Sequence, residues 1–190
     1  LEEEVALIDD VKGIIQDDSK RLSDAEITNN INVAISAFAK DVGVFKIAEL
    51  TAYNENLLLW NLPTDWIEGI SFIKQLFDND GNRLEWDFSY YGGTKYILTS
   101  DIYNSGKVYI EYAYLPTETN LTATQKGIIL HYACYLCLMA LAAYYAQTID
   151  PVLSPDVVSY GSRADTYIKL ATEHLNTYKD KVRQVRYIKL

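Results

Sequence analysis

TQKGIILHYACYLCLMALAAYYAQT, residues 124–148, decides the architecture of this chain. Between Gly127 and Ala146 it carries Ile128, Ile129, Leu130, Tyr132, Leu136, Leu138, Met139, Leu141, Tyr144 and Tyr145, and His131 is the one group there expected to charge near neutral pH. A helix that is apolar on every side has to be enclosed, because no single neighbour can cover it. The pattern therefore predicts an interior helix with partners all round. Small residues at Ala133, Cys137 and Ala140 fall four and then three apart, which lines one seam where a second helix, from this chain or a neighbouring copy, can approach closely. The length also suits a bilayer. The tyrosines, alanines and His131 make it a poor hydrocarbon passenger, nothing else reads as membrane-embedded, and no membrane partner is expected.

Outward from this stretch toward the N-terminus, the chain is helical in period. Val5, Ile8, Val11 and Ile15 share one helical face, with Glu2, Glu3, Glu4, Asp9 and Asp10 crowding the early turns, where acids favour the positive end of the helix dipole. Asp17, Asp18 and Ser19 make a loop. Ser23 and Glu26 then form a capping box, opening a second helix whose buried stripe is Ile27, Ile31, Ile35 and Phe38 and whose terminator is Gly43.

From about Ala48 the period changes to two. Leu57–Leu62 is an apolar run closed by Pro63, and Ile70–Phe77 is another closed by Asp78, Asn79, Asp80 and Gly81. Leu84, Trp86, Phe88 and Tyr90 alternate with polar residues, Gly92 and Gly93 turn the chain, and Tyr96–Thr99 follows. Ser105 and Gly106 turn it again before Val108, Ile110, Tyr112 and Tyr114. Short turns between strands predict antiparallel pairing. Beyond the apolar helix, Ser154, Pro155 and Asp156 start a last helix with the stripe Val157, Tyr160, Ala164, Tyr167, Ala171, Leu175 and Tyr178. After Tyr178 basic and apolar residues interleave, and residues 181–190 are expected to be extended, a reach of roughly 30 Å. The expected fold is thus α+β. An antiparallel helical bundle, residues 1–47 and 117–180, carries a small antiparallel β-sheet subdomain at 48–116 and an extended C-terminal arm at 181–190.

A chain of 190 residues that is 49% apolar and 23% charged is long enough for one substantial core. The formal charge of −9 argues against sequence-reading contact with nucleic acid, which needs clustered Lys and Arg. Sixteen tyrosines, each apolar in body and polar at the tip, suit partly wetted interfaces. Cys134 and Cys137 are the two cysteines, and with no signal-peptide pattern at the start the expectation is a reducing compartment without a disulfide scaffold.

Motifs for chemistry are sparse. Cys134 and Cys137 form a CxxC inside an apolar helix, not at the strand-to-helix turn that activates redox pairs. A His131-Cys134-Cys137 cluster rotates its members around the helix and lacks a fourth ligand, so no metal is expected. His174 and Glu173 are adjacent and do not face each other. Asp78 and Asp80 read as an Asx turn, since a calcium loop would need a closing Glu at EF-hand spacing. No GxSxG, HExxH, phosphate-cradling or dinucleotide-binding pattern occurs. An enzyme and a cofactor are not expected.

The order of parts, with Leu22-Ser23-Asp24-Ala25-Glu26-Ile27 opening the second helix, Asn32 and Ala34 following, Leu62-Pro63-Thr64-Asp65-Trp66 in the β insert, then an apolar helix and a polar-faced helix with a tail, resembles the head–tail connector adaptors of tailed bacteriophages. The likeness is one of layout over nearly the whole chain, and the sizeable β insert is more like the adaptors of short-tailed phages. It implies a homo-oligomeric ring, usually of about twelve copies, in the virion neck and, during assembly, the host cytoplasm. The implied partners are the portal protein and a tail or stopper/nozzle protein. Lys181, Val182, Arg183, Val185, Arg186, Tyr187, Ile188, Lys189 and Leu190 would form a portal-binding arm that orders in a groove, for instance by adding a strand. Ala133, Cys137 and Ala140 would serve subunit or helix contacts. About twelve copies at −9 each would give a ring near −108, whose negative channel wall lets DNA slide through without specific binding. A non-viral scaffold module with the β insert as ligand surface is the second expectation. Third is a hydrolase or redox enzyme using Cys134, His131 or the paired acids.

Overall fold

The computed structural model describes residues 6–17, 20–100, 107–147 and 157–188. Among them the chain forms two compact units, Leu1–Val42 with Pro116–Leu190, and Gly43–Leu115. The first is helical and the second is β, which makes the fold α+β.

In the helical unit, α1 (Leu7–Ile15) buries Leu7, Val11 and Ile15, while Ile8 is half-buried and Val5 lies outside the described residues. No side chain of its own caps its start. Instead the Leu7 amide donates to Glu118 Oε1 at 2.8 Å, so a distant carboxylate satisfies a free donor and complements the dipole. The predicted capping box opens α2 (Asp24–Val42): the Ser23 amide donates to Glu26 Oε2 at 2.8 Å and the Glu26 amide to Ser23 Oγ at 3.3 Å. Ile27, Ile31, Ile35 and Phe38 are buried as the period requires. Gly43, at φ +74, follows the last turn in the left-handed region, and a Cβ there would meet the Phe45 ring at 2.9 Å.

The long apolar helix is α3 (Ala123–Gln147), started by a second reciprocal cap in which the Thr122 amide donates to Gln125 Oε1 at 2.8 Å and the Gln125 amide to Thr122 Oγ1 at 3.3 Å. It packs against α1, α2 and α4 (Val157–Ile188). Ile129, Ala133, Cys134, Cys137 and Leu141 are sealed from solvent. The expectation of cover all round is corrected: Met139 and Ala143 are exposed, because three partner helices leave one side of α3 open. α4 runs antiparallel to α3, as shown by Tyr132 against Tyr178 at one end and Tyr145 stacked on Tyr167 at the other.

In the β unit the single small sheet expected is instead two four-stranded antiparallel sheets. β1 (Phe45–Glu49), β8 (Val108–Ala113), β4 (Ile73–Asp78) and β5 (Arg83–Leu84) form one, in that order. β2 (Ala52–Asn54), β3 (Leu59–Asn61), β7 (Thr94–Thr99) and β6 (Trp86–Tyr91) form the other. The alternation from Leu84 to Tyr90 hides a change of sheet at Glu85. Likewise β7 does not pair with β8; it pairs with β3 and β6, while β8 pairs with β1 and β4. One core joins the sheets, with Leu76, Val108, Ile110 and Tyr112 from the first and Trp60 and Ile97 from the second. The buried Trp60 indole donates to Thr99 Oγ1 at 3.1 Å, satisfying its one polar atom. The turn at Ser105 and Gly106 and the helix start at Ser154–Asp156 lie outside the described residues.

Candidate functional site

The C-terminal residues assigned to an extended arm are helical. α4 continues through Lys181, Val182, Arg183, Val185, Arg186, Tyr187 and Ile188, and Lys189 and Leu190 lie outside the described residues. The physical reason is that the stripe does not stop at Tyr178. Val182 and Val185 follow it at steps of four and three, so the apolar face persists although the opposite face turns basic. Tyr178 and Val182 are buried and Val185 is half-buried. The Tyr178 hydroxyl donates to Asp41 Oδ2 at 2.8 Å, at the end of α2. Arg186 donates to the Asp41 backbone carbonyl and reaches its carboxylate at 3.5 Å. Arg183 is outward, in an exposed pair with Asp180 at 3.6 Å. Positive charge concentrated in these last turns favours the helix C-terminus, where unpaired carbonyls carry partial negative charge. The result is a helix end that is basic outside, apolar inside, and pinned at one carboxylate.

The small-residue seam meets its own chain. Ala133 and Cys137 are sealed and Ala140 is half-buried. Asn30 of α2 donates its amide to Cys137 Sγ at 3.4 Å, so at Cys137 the occupant of the seam is α2. Burial, with Cys137 and Asp10 nearby, pushes the Cys134 thiol up to about 12, and burial likewise raises Cys137. Both thiols stay protonated at neutral pH and are poor nucleophiles. Among the described residues no three His, Cys, Asp or Glu side chains gather as a metal set.

His131 and His174, 43 residues apart in the sequence, come together in the structure. Their Nδ1 atoms are 3.0 Å apart across the α3–α4 seam. Burial lowers both pKa values; Lys181 and His174 add to the effect at His131, and Glu173 opposes it at His174. No local pattern could have flagged a contact spanning 43 residues, although both lie on helix faces that lead into the seam.

In the β unit, Leu62-Pro63-Thr64-Asp65 borders a cleft of about 670 Å³ whose other wall includes Lys46, Ala48 and Leu50. A turn closes on the Trp66 amide donating to the Pro63 carbonyl at 2.9 Å. It places Asp65 so that one oxygen meets the Lys46 ammonium at 2.6 Å and the other accepts from the Tyr112 hydroxyl at 2.6 Å. Burial and the Asp65 carboxylate push the Tyr112 phenol up to about 12. Burial alone would raise Asp65, but Lys46 and Tyr112 outweigh it and hold the carboxyl below its usual range. With one oxygen on Lys46 and the other on Tyr112, Asp65 ties the loop to β1 and β8. Trp66 seals the tie by stacking on Tyr112 with ring centroids 6.1 Å apart. Elsewhere on this unit Tyr53, Tyr90 and Tyr91 are exposed.

The helical unit therefore offers a basic helix end, and the β unit a clamped cleft and exposed tyrosines. No family model matches the chain, and no curated protein matches it.

Proposed function

We propose that this chain is a structural adaptor of a tailed-phage neck, forming a ring that joins the portal vertex to the tail and lines the DNA exit channel. The observation that carries this reading is the order of parts: a helical unit, built from both ends of the chain, interrupted between α2 and α3 by a β unit. That order is the one on which the resemblance rests. In this reading the portal takes the basic end of α4, Lys181–Ile188 with Lys189 and Leu190, as a helix end rather than a preformed strand. Copies arranged in a ring make each weak grip multivalent. The charge of −9 per copy keeps the channel repulsive to phosphate.

The test is reconstitution with the portal protein encoded in the same genome, read by mass and by imaging of the particles. The full chain is expected to add about twelve copies to each portal, and a chain ended after Lys179 to add few or none. Normal docking by the shortened chain removes the role given to the helix end; failure of the full chain to dock removes the adaptor reading altogether. A second reading, a scaffold module that binds its ligand through the β unit, draws on the exposed Tyr53, Tyr90 and Tyr91, a residue type enriched at interfaces. Substituting all three to Ser separates the two: portal docking survives in the first and ligand capture is lost in the second.

A further inference from the structure

The chain has two histidines, and they are each other's partners. His131 of α3 and His174 of α4 hold their Nδ1 atoms 3.0 Å apart, with ring centroids 5.2 Å apart and planes inclined at 41°. A hydrogen bond between two imidazole nitrogens needs one proton and one lone pair. One ring must carry Nδ1–H, and the other must keep Nδ1 bare with its proton on Nε2. One proton added to this neutral pair makes one ring an imidazolium that still donates through Nδ1 to the other; a proton on each ring turns both into donors, abolishes the bond and sets two cations face to face. The surroundings do little to absorb that charge. Lys181, further along the same face of α4, adds to the field at His131, while Glu173 acts in the opposite sense on His174. Asp41, from α2, is engaged by Tyr178 and Arg186 further along α4.

We propose that the His131–His174 pair is an acid-opened latch: the proton shared between the two Nδ1 atoms holds α4 on α3 near neutral pH, and protonation of both rings frees the turns of α4 from His174 to Ile188. The sign follows from burial. Both groups bind protons less readily when folded than when unfolded, so the unfolded state takes up more protons as the pH drops below the ordinary value of 6.5, and the closed seam loses stability in that direction. The segment released is the one that carries Val182, Val185 and Arg186, so the latch governs how tightly the basic helix end is held. It is a property of the helical unit and stands whether or not the chain is a phage adaptor.

Because the chain has only these two histidines, their ring nitrogens can be observed without ambiguity by two-bond proton–nitrogen correlation on the full chain. At pH 7.5 the expected result is one ring with its proton on Nδ1 and one with its proton on Nε2; two freely exchanging rings overturn the pairing. Amide hydrogen exchange, corrected for the intrinsic rate, then reads the latch. Protection from residue 174 to 188 is expected to fall, relative to α2, between pH 7.5 and 5.0, because burial makes both rings bind protons less readily folded than unfolded. His131→Gln and His174→Gln, each a neutral hydrogen-bonding replacement, are expected to flatten that fall. Unchanged protection in the parent chain refutes the latch. So does an undiminished fall in both variants, which places the acid sensitivity outside the histidine pair.

Discussion

Replacing Tyr178 by Phe isolates the contact that pins the end of α4. The side chain is 3% exposed, and its ring lies against Tyr132 with centroids 4.8 Å apart, so Phe preserves the packing and leaves no cavity. What goes is the hydroxyl that donates to Asp41 Oδ2 at 2.8 Å. Bonds to a charged acceptor contribute about 1.5–3 kcal/mol. The Asp41 side chain is 44% exposed, so water replaces part of the lost donor, and the expected cost drops to about 1–1.5 kcal/mol. For a chain of this length that is a fall in Tm of about 2–6 °C. The assay is urea and thermal unfolding followed by far-UV circular dichroism, which reads the helical unit, with an unchanged urea slope expected because the exposed surface is the same. Tyr178→Ala, which also empties the ring site, is expected to cost about 3–5 kcal/mol. If Phe leaves stability within about 0.3 kcal/mol of the parent and Ala costs less than about 1 kcal/mol, the last turns of α4 are not docked on α2.

Other outcomes test the rest of the molecule. Leu138, 2% exposed on α3, is expected to cost about 2–5 kcal/mol on conversion to Ala, and a loss under about 1 kcal/mol in urea unfolding contradicts its place in the core. Cys134, with its thiol pushed up to about 12 by burial, should resist a thiol reagent at pH 8 until denaturant is added; rapid labelling of the folded chain refutes that burial. The Asp78 carboxylate accepts from the amides of Asp80 and Asn82 and from the Asn82 side chain, and the Asn82 bonds chiefly hold its pKa down. A lowered folded pKa contributes stability above the unfolded value and loses it as pH falls through the folded one. Asp78→Asn should therefore lie below the parent at pH 7 and converge on it below about pH 3.8, and a gap that stays constant down to pH 2.5 is the opposing result.

The fold class could be read from the sequence because its cues are local. Ser23 and Glu26 sit within one turn of each other and form the box their spacing announces; Ile27, Ile31, Ile35 and Phe38 share a face within one helix. The partition of strands between two sheets was not legible, since Leu84 and Trp86 obey one alternation while hydrogen-bonding to different neighbours, and alternation reports faces but not partners. The end of α4 was misjudged because a run of Lys and Arg masked the step from Tyr178 to Val182 and Val185, where two buried positions outweigh the charges beside them. At the candidate site the residues themselves were visible, and their company was not. His131 with His174, and Asp41 with Tyr178 and Arg186, are joined over 43, 137 and 145 residues, and nothing short-range encodes such meetings.

The insertion of the β unit between α2 and α3 has a consequence for synthesis. α1 and α2 emerge from the ribosome before the helices that cover their apolar faces, because α3 and α4 come after the whole of Gly43–Leu115. At elongation rates of about 5–20 residues per second the early helices wait several seconds with Ile27, Ile31 and Phe38 unsheltered. The intervening strands face no such delay: Val44 accepts from the Tyr114 amide at 2.9 Å, so that lobe can close on itself as soon as its last strand is free. On the growing chain the β unit then closes before the helical unit whose two halves flank it.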